Sequence, residues 1–191
     1  TFDLSGLKAM PNLLNAQIFS VLSLVSADIV NHGKRCKQTL KASPDKNEMD
    51  MPHYIVNISE AQTLINPKYE SSVKLLADII DSMGENFAGV VLSVNSLRGI
   101  LFESGSATFK DPYVTAVQRI FGLMQYRVFA QTDDTSVPLL ANALSGSMNQ
   151  SELETLPRLR KGLFMNISSV GNIVFNQQLL APETERYGGL Q

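Results

Sequence analysis

The chain has 191 residues, of which 44% are apolar and 18% charged, and its net charge is -2. That apolar share is enough to fill the core of one ordinary domain, or of a small domain with a helical extension. The weak charge gives no electrostatic case for nucleic acid or an anionic membrane surface. A single cysteine, Cys36, excludes an intrachain disulfide and a cysteine-based metal framework. No run reaches the ~18 uninterrupted apolar residues of a membrane span; the nearest, Leu13 to Val30, carries Asn15, Gln17 and Asp28. The expectation is therefore a chain without a transmembrane segment. A start at Thr1 rather than Met points to a leading segment removed, such as a signal peptide. The basic run Lys34, Arg35, Lys37 and Lys41 reads as a solvated helix face.

From the N-terminus, Ile18, Leu22, Val25, Ile29, His32, Cys36 and Leu40 recur at spacings of three and four, which predicts an amphipathic helix over 12–41. Asn12 is its expected cap, and Gly33 its expected end or kink. His32 and Cys36 share one face and have the spacing of half a metal site. With no further ligand cluster in the chain, packing is the better reading. The proline-bounded stretch 43–53 reads as a connector. A strand follows over 54–58, then one or two helical turns, then a helix from Pro67 to Gly84.

The helical phase runs on past Gly84 through Phe87, Val90, Val94, Leu97 and Leu101, which would make one helix and an all-α protein. Three glycines in that stretch would each cost such a helix ~1 kcal/mol relative to alanine. Val90-Val91-Leu92-Ser93-Val94 is moreover β-branched and alternating. The prediction is a strand near 89–95 and a short one at 100–102. A helix over 112–124 follows, with Pro112 at its first position and Asp111 as its cap. Next come a strand at 125–130, a polar loop at 131–136 and a helical stretch at 139–144. Ser151-x-x-Glu154 reads as a capping box, and residues 167–174 as a last strand interrupted by Gly171; the tail from Ala181 shows no element.

From residue 89 on, strand, small-residue loop, helix, strand, Thr-Asp loop, helix and strand follow one another, and several wordings accompany that order. They are Leu101-Phe102-Glu103-Ser104-Gly105-Ser106-Ala107, Lys110-x-Pro112, Thr132-Asp133, Leu144-Ser145, Lys161-Gly162-Leu163 and Ile167-Ser168-Ser169-Val170-Gly171. Over about residues 87–180 the chain thereby resembles the OmpA/MotB/Pal-like peptidoglycan-associating domains. The resemblance implies an α+β fold, a βαβαβ sandwich of helices on a small mixed sheet preceded by an N-terminal helical region, with domains at 1–86 and 87–191. It also implies non-covalent binding of the peptidoglycan stem peptide through its diaminopimelate end, with Asp133, Thr132, Ser104 and Ser106 as the ligand-binding residues. A zwitterionic end group needs a carboxylate for its ammonium and a cation or helix amides for its carboxylate. The chain departs from the family pattern at Ala130-Gln131, which replace a Gly-His pair, and at Met148, which replaces the binding arginine.

Three readings of function follow. One is a wall-binding anchor in the periplasm or envelope of a Gram-negative bacterium, with peptidoglycan and other envelope proteins as partners. Another is a scaffold of the same fold in an envelope-spanning secretion or motility machine, with protein contacts in place of the glycan. The last is an all-α secreted assembly protein. No catalytic residue, metal ligand or cofactor is expected: Asp133 and Asp134 are adjacent and diverge, and His32 and His53 lie in the other half of the chain. Asp133 also has a plain alternative role, capping the helix that follows it.

Overall fold

Pro11 opens α1 (Pro11–Ala42) at a position where its missing N–H costs nothing. The helix continues through Gly33 without a kink-forming proline and ends at Ser43. It has no side-chain cap; Met10, not Asn12, stands at the capping position. The computed structural model describes residues 1–97, 100, 111–143, 148–177 and 180–187. The expected short strand at 100–102, the loop 101–107 and Leu144-Ser145 fall wholly or largely outside these residues. Two compact units divide the chain, residues 1–123 and residues 124–191.

The first unit is built on α1, β1 (Tyr54–Ile58), α2 (Glu70–Met83), β2 (Ala88–Leu92) and α3 (Pro112–Leu123). Leu14, Ile18, Leu22, Ile29 and Cys36 form the buried stripe of α1. They pack with Val73, Leu76, Ala77 and Ile80 of α2 around one apolar core. The polar members of this core are satisfied: Ser72 Oγ donates to Asn15 Oδ1 at 2.9 Å, and Asn86 Nδ2 donates to the Ser82 carbonyl at 2.8 Å. On the surface Arg119 of α3 pairs with Asp78 and Asp81 of α2. By length and composition α1 would also suffice to cross a membrane, and only 22% of its most apolar window is buried. The interruptions at Asn15, Gln17 and Asp28 therefore do not remove it from that class.

β1 and β2 pair in parallel, from Tyr54 opposite Ala88 to Ile58 opposite Leu92. This overturns the all-helical alternative, because the apparent heptad past Gly84 is broken at Phe87, which takes a left-handed conformation (φ 54°) and turns the chain into the strand. The same pairing places the strands on either side of the expected boundary at residue 86 in one sheet, so the compact units divide after Leu123 instead. Asp111 caps α3 as expected, accepting from the Tyr113 N–H at 2.9 Å.

The second unit holds an antiparallel sheet of β3 (Tyr126–Phe129), β4 (Leu163–Ser168) and β5 (Gly171–Asn176), in the order β3-β4-β5. Three short helices accompany it: α4 (Val137–Ala143), α5 (Gln150–Thr155) and α6 (Ala181–Tyr187). Phe129, Met165 and Ile167 line the buried face of the sheet. The single strand expected over 167–174 is a hairpin turning at Ser169-Val170, and Gly171 (φ 151°) begins β5 rather than interrupting a strand. The capping box lies two residues earlier than expected: Asn149 Oδ1 accepts from the Glu152 N–H at 2.9 Å, and Glu152 returns the bond to the Asn149 N–H at 2.8 Å. The fold is α+β with an N-terminal helical region, as expected, but with two separate sheets in place of one mixed sheet.

Candidate functional site

In an open parallel sheet the strand ends at the carboxyl edge are where ligands are bound, because successive crossovers leave a crevice there. In the first unit that edge is closely laced. The Ser93 N–H donates to the Ile58 carbonyl at 3.0 Å, and the Ala61 N–H to the Ser93 carbonyl at 2.9 Å. Gln62 Oε1 accepts from the Asn95 N–H at 3.3 Å. Between these bonds Glu60 stands in the left-handed region, at φ 52° and ψ 44°. For a side chain larger than Asn such a conformation costs ~1–3 kcal/mol and is held only where the surroundings dictate it. Its carboxylate is exposed and meets Lys8 Nζ at 2.9 Å.

The recorded partner of this carboxylate is the Lys8 ammonium, so Glu60 ties the N-terminal segment to the turn after β1. Sequence reasoning missed this edge. In sequence the edge shows only as a strand over 54–58 running through Ser59-Glu60 into what reads as one or two helical turns. Its meaning depends on β2 lying parallel to β1, a pairing between segments some thirty residues apart.

The residues expected to bind ligand occupy different surroundings. Asp133 lies at the head of α4 in the second unit. Its Oδ1 accepts from the Ser136 N–H at 3.0 Å and from the Thr135 hydroxyl. Its Oδ2 accepts from Ser136 Oγ at 2.7 Å. The carboxylate thus closes the turn before the helix, which is the plain alternative weighed for it. Thr132 donates its N–H to the Leu156 carbonyl at 3.3 Å and its hydroxyl to the Ala130 carbonyl at 3.1 Å. Ser104 and Ser106 lie outside the described residues.

His32 and Cys36 do meet, with Sγ 3.5 Å from Nε2, but the same Nε2 lies 2.9 Å from the Pro52 carbonyl. The imidazole therefore ties α1 to the connector. Among the described residues no group of three or more His, Cys, Asp or Glu side chains is arranged to hold a metal ion.

No protein-family model matches the chain. The fold is shared with a solved structure of VirB4 from Thermoanaerobacter pseudethanolicus. The likeness covers 96% of this chain and 42% of that one, with a TM-score of 0.64 and 16% sequence identity. In sequence the chain is similar to an uncharacterized Bacillus anthracis protein, pXO2-09, at 26% identity over 194 residues. That match takes in 100% of this chain and 29% of the Bacillus protein. The chain thus spans less than a third of its curated relative and under half of the VirB4 chain.

Proposed function

We propose that the chain is part of a secretion-system component built on the VirB4 fold. The observation that carries this reading is the fold likeness, which extends over nearly the whole chain. The 191 residues contain no G-x-x-x-x-G-K-[ST] loop to cradle phosphates.

The wall-binding reading has less support. Both carboxylate oxygens of Asp133 are engaged at the head of α4, and Met148 offers no charge for a carboxylate. The test is deletion of the coding segment in cells that carry the machine, with secretion or plasmid transfer as the readout. Loss of transfer, restored by the segment supplied in its native context, is the expected result. Transfer that proceeds unchanged would overturn the proposal.

A further inference from the structure

β1 (Tyr-Ile-Val-Asn-Ile) and β2 (Ala-Gly-Val-Val-Leu) are nearly unbroken apolar runs, the composition of parallel strands covered on both faces. Yet no residue of either strand is fully buried. Tyr54, Val56 and Ile58 share a half-buried face with Ala88, Val90 and Leu92, and α2 packs there. The opposite face is bare: Ile55 and Val91 are 61% and 53% exposed. Gly89 stands opposite Ile55 on that face. A Cβ on it would meet only Ile55 Cδ1, at an ordinary 3.5 Å, so the described residues give no reason for a glycine. Close approach by a further element would give one.

The ladder points the same way. The Tyr54 N–H donates to the Phe87 carbonyl at 2.9 Å, and the Ser93 N–H to the Ile58 carbonyl at 3.0 Å, which fixes the alternation. Gly89 and Val91 turn their backbone groups toward β1, while Ala88, Val90 and Leu92 turn theirs away. Among the described residues no third strand joins this sheet. β2 carries no charge, no proline and no break in register, the devices that normally protect an edge.

We infer that β2 is an interior strand: a parallel strand from polypeptide beyond these 191 residues pairs with its outer edge, and the helix joined to that strand covers Ile55, Gly89 and Val91. Length supports a covering piece from the same protein, since the chain spans 42% of the VirB4 chain and 29% of the Bacillus relative. The strand is uncharged and rich in β-branched residues, because it extends an apolar sheet buried on both faces. Handedness sets its place. α2 is the crossover from β1 to β2, and nearly all such crossovers are right-handed. A right-handed crossover on the opposite face runs the other way, from the added strand back toward β1. The added strand therefore precedes β1 in the polypeptide. None of this depends on a role in secretion.

Residue-resolved hydrogen exchange of the complete protein provides the test. The Val90 and Leu92 amides are expected to be protected about 100-fold or more, alongside those of Gly89 and Val91. Protection at Gly89 and Val91 with free exchange at Val90 and Leu92 would reveal an open edge and overturn the inference. Val91→Asp is expected to lower the Tm of the complete protein by about 5 °C or more. Val170→Asp, at a hairpin turn where the valine is 96% exposed, should leave it unchanged. A short diazirine side chain at position 91 then identifies the covering element. Cross-links to polypeptide preceding Thr1 are expected. Cross-links within these 191 residues, or to a second copy, would overturn the inference.

Discussion

Gly33 of α1 lies so close to Asn86 that a Cβ on the glycine would stand 2.8 Å from the Asn86 Cα. A real Cβ cannot come that near to backbone, so the glycine is kept for the approach of the turn after α2 and not for a bend in its own helix. Asn86 is itself pinned, its side chain donating to the Ser82 carbonyl at 2.8 Å, and has little room to retreat.

Gly33→Ala should therefore lower the stability of the first unit although alanine is the better helix former. The overlap outweighs the ~1 kcal/mol of helix propensity and leaves a net loss of ~1–3 kcal/mol. Gly122→Ala, in α3 with open space around its Cβ, should be neutral or stabilising by up to ~1 kcal/mol. Urea unfolding of the two variants beside wild type checks both signs.

Tyr113 is buried beneath the start of α3, and its hydroxyl donates to the Ile100 carbonyl at 3.5 Å. Loss of hydration, and to a lesser degree the nearby Asp111 carboxylate, push its ionisation well above the ordinary tyrosine range. The folded chain then holds the proton where the unfolded chain has released it. Stability contributed by the neutral phenol is complete below the unfolded value of ~10 and falls as pH rises above it. Tyr113→Phe should flatten that alkaline loss, as measured by thermal unfolding between about pH 8 and about pH 11.

The bonds at Asp133 predict a stability effect for a residue that the family resemblance assigns to ligand. Asp133→Ala removes acceptors for the Ser136 N–H and hydroxyl and should cost the second unit ~0.5–2 kcal/mol. Asp133→Asn, which keeps one acceptor oxygen, should cost less. Co-sedimentation with isolated cell-wall sacculi provides the independent check: the account predicts no pelleting of the wild-type chain or of either variant.

Leu76 of α2 is fully buried where α1 and α2 meet. Leu76→Ala should destabilise the first unit by ~2–5 kcal/mol. Ser72→Ala, one turn earlier, leaves Asn15 without its partner at 2.9 Å and should cost ~1–3 kcal/mol. Differential scanning calorimetry would place both losses in the same transition.

Local chemistry was legible in the sequence wherever it is self-contained. The stripe from Ile18 to Leu40 foretold α1, Asp111-Pro112 foretold the start of α3, and the β-branched run at 90–94 foretold β2 against a misleading heptad. What failed to show depends on distant partners. Gly33 reads as a helix breaker unless Asn86 is known to lie against it. Gly171 reads as an interruption unless Ser168 is known to stand across from it as the closing pair of a hairpin. Glu60 is one polar residue among several until β2 brings Ser93 and Asn95 beside it. The tail carried no signal for α6 because seven residues with one proline offer too short a period to read.

The most direct measurement is complementation of a deletion strain with the complete protein, with the protein lacking this segment and with its Asp133→Asn variant, scoring secretion or plasmid transfer. The protein lacking the segment is expected to fail to restore secretion or transfer, while Asp133→Asn restores it. Normal secretion or transfer by the protein lacking the segment would contradict the assignment of this chain to a secretion-system component.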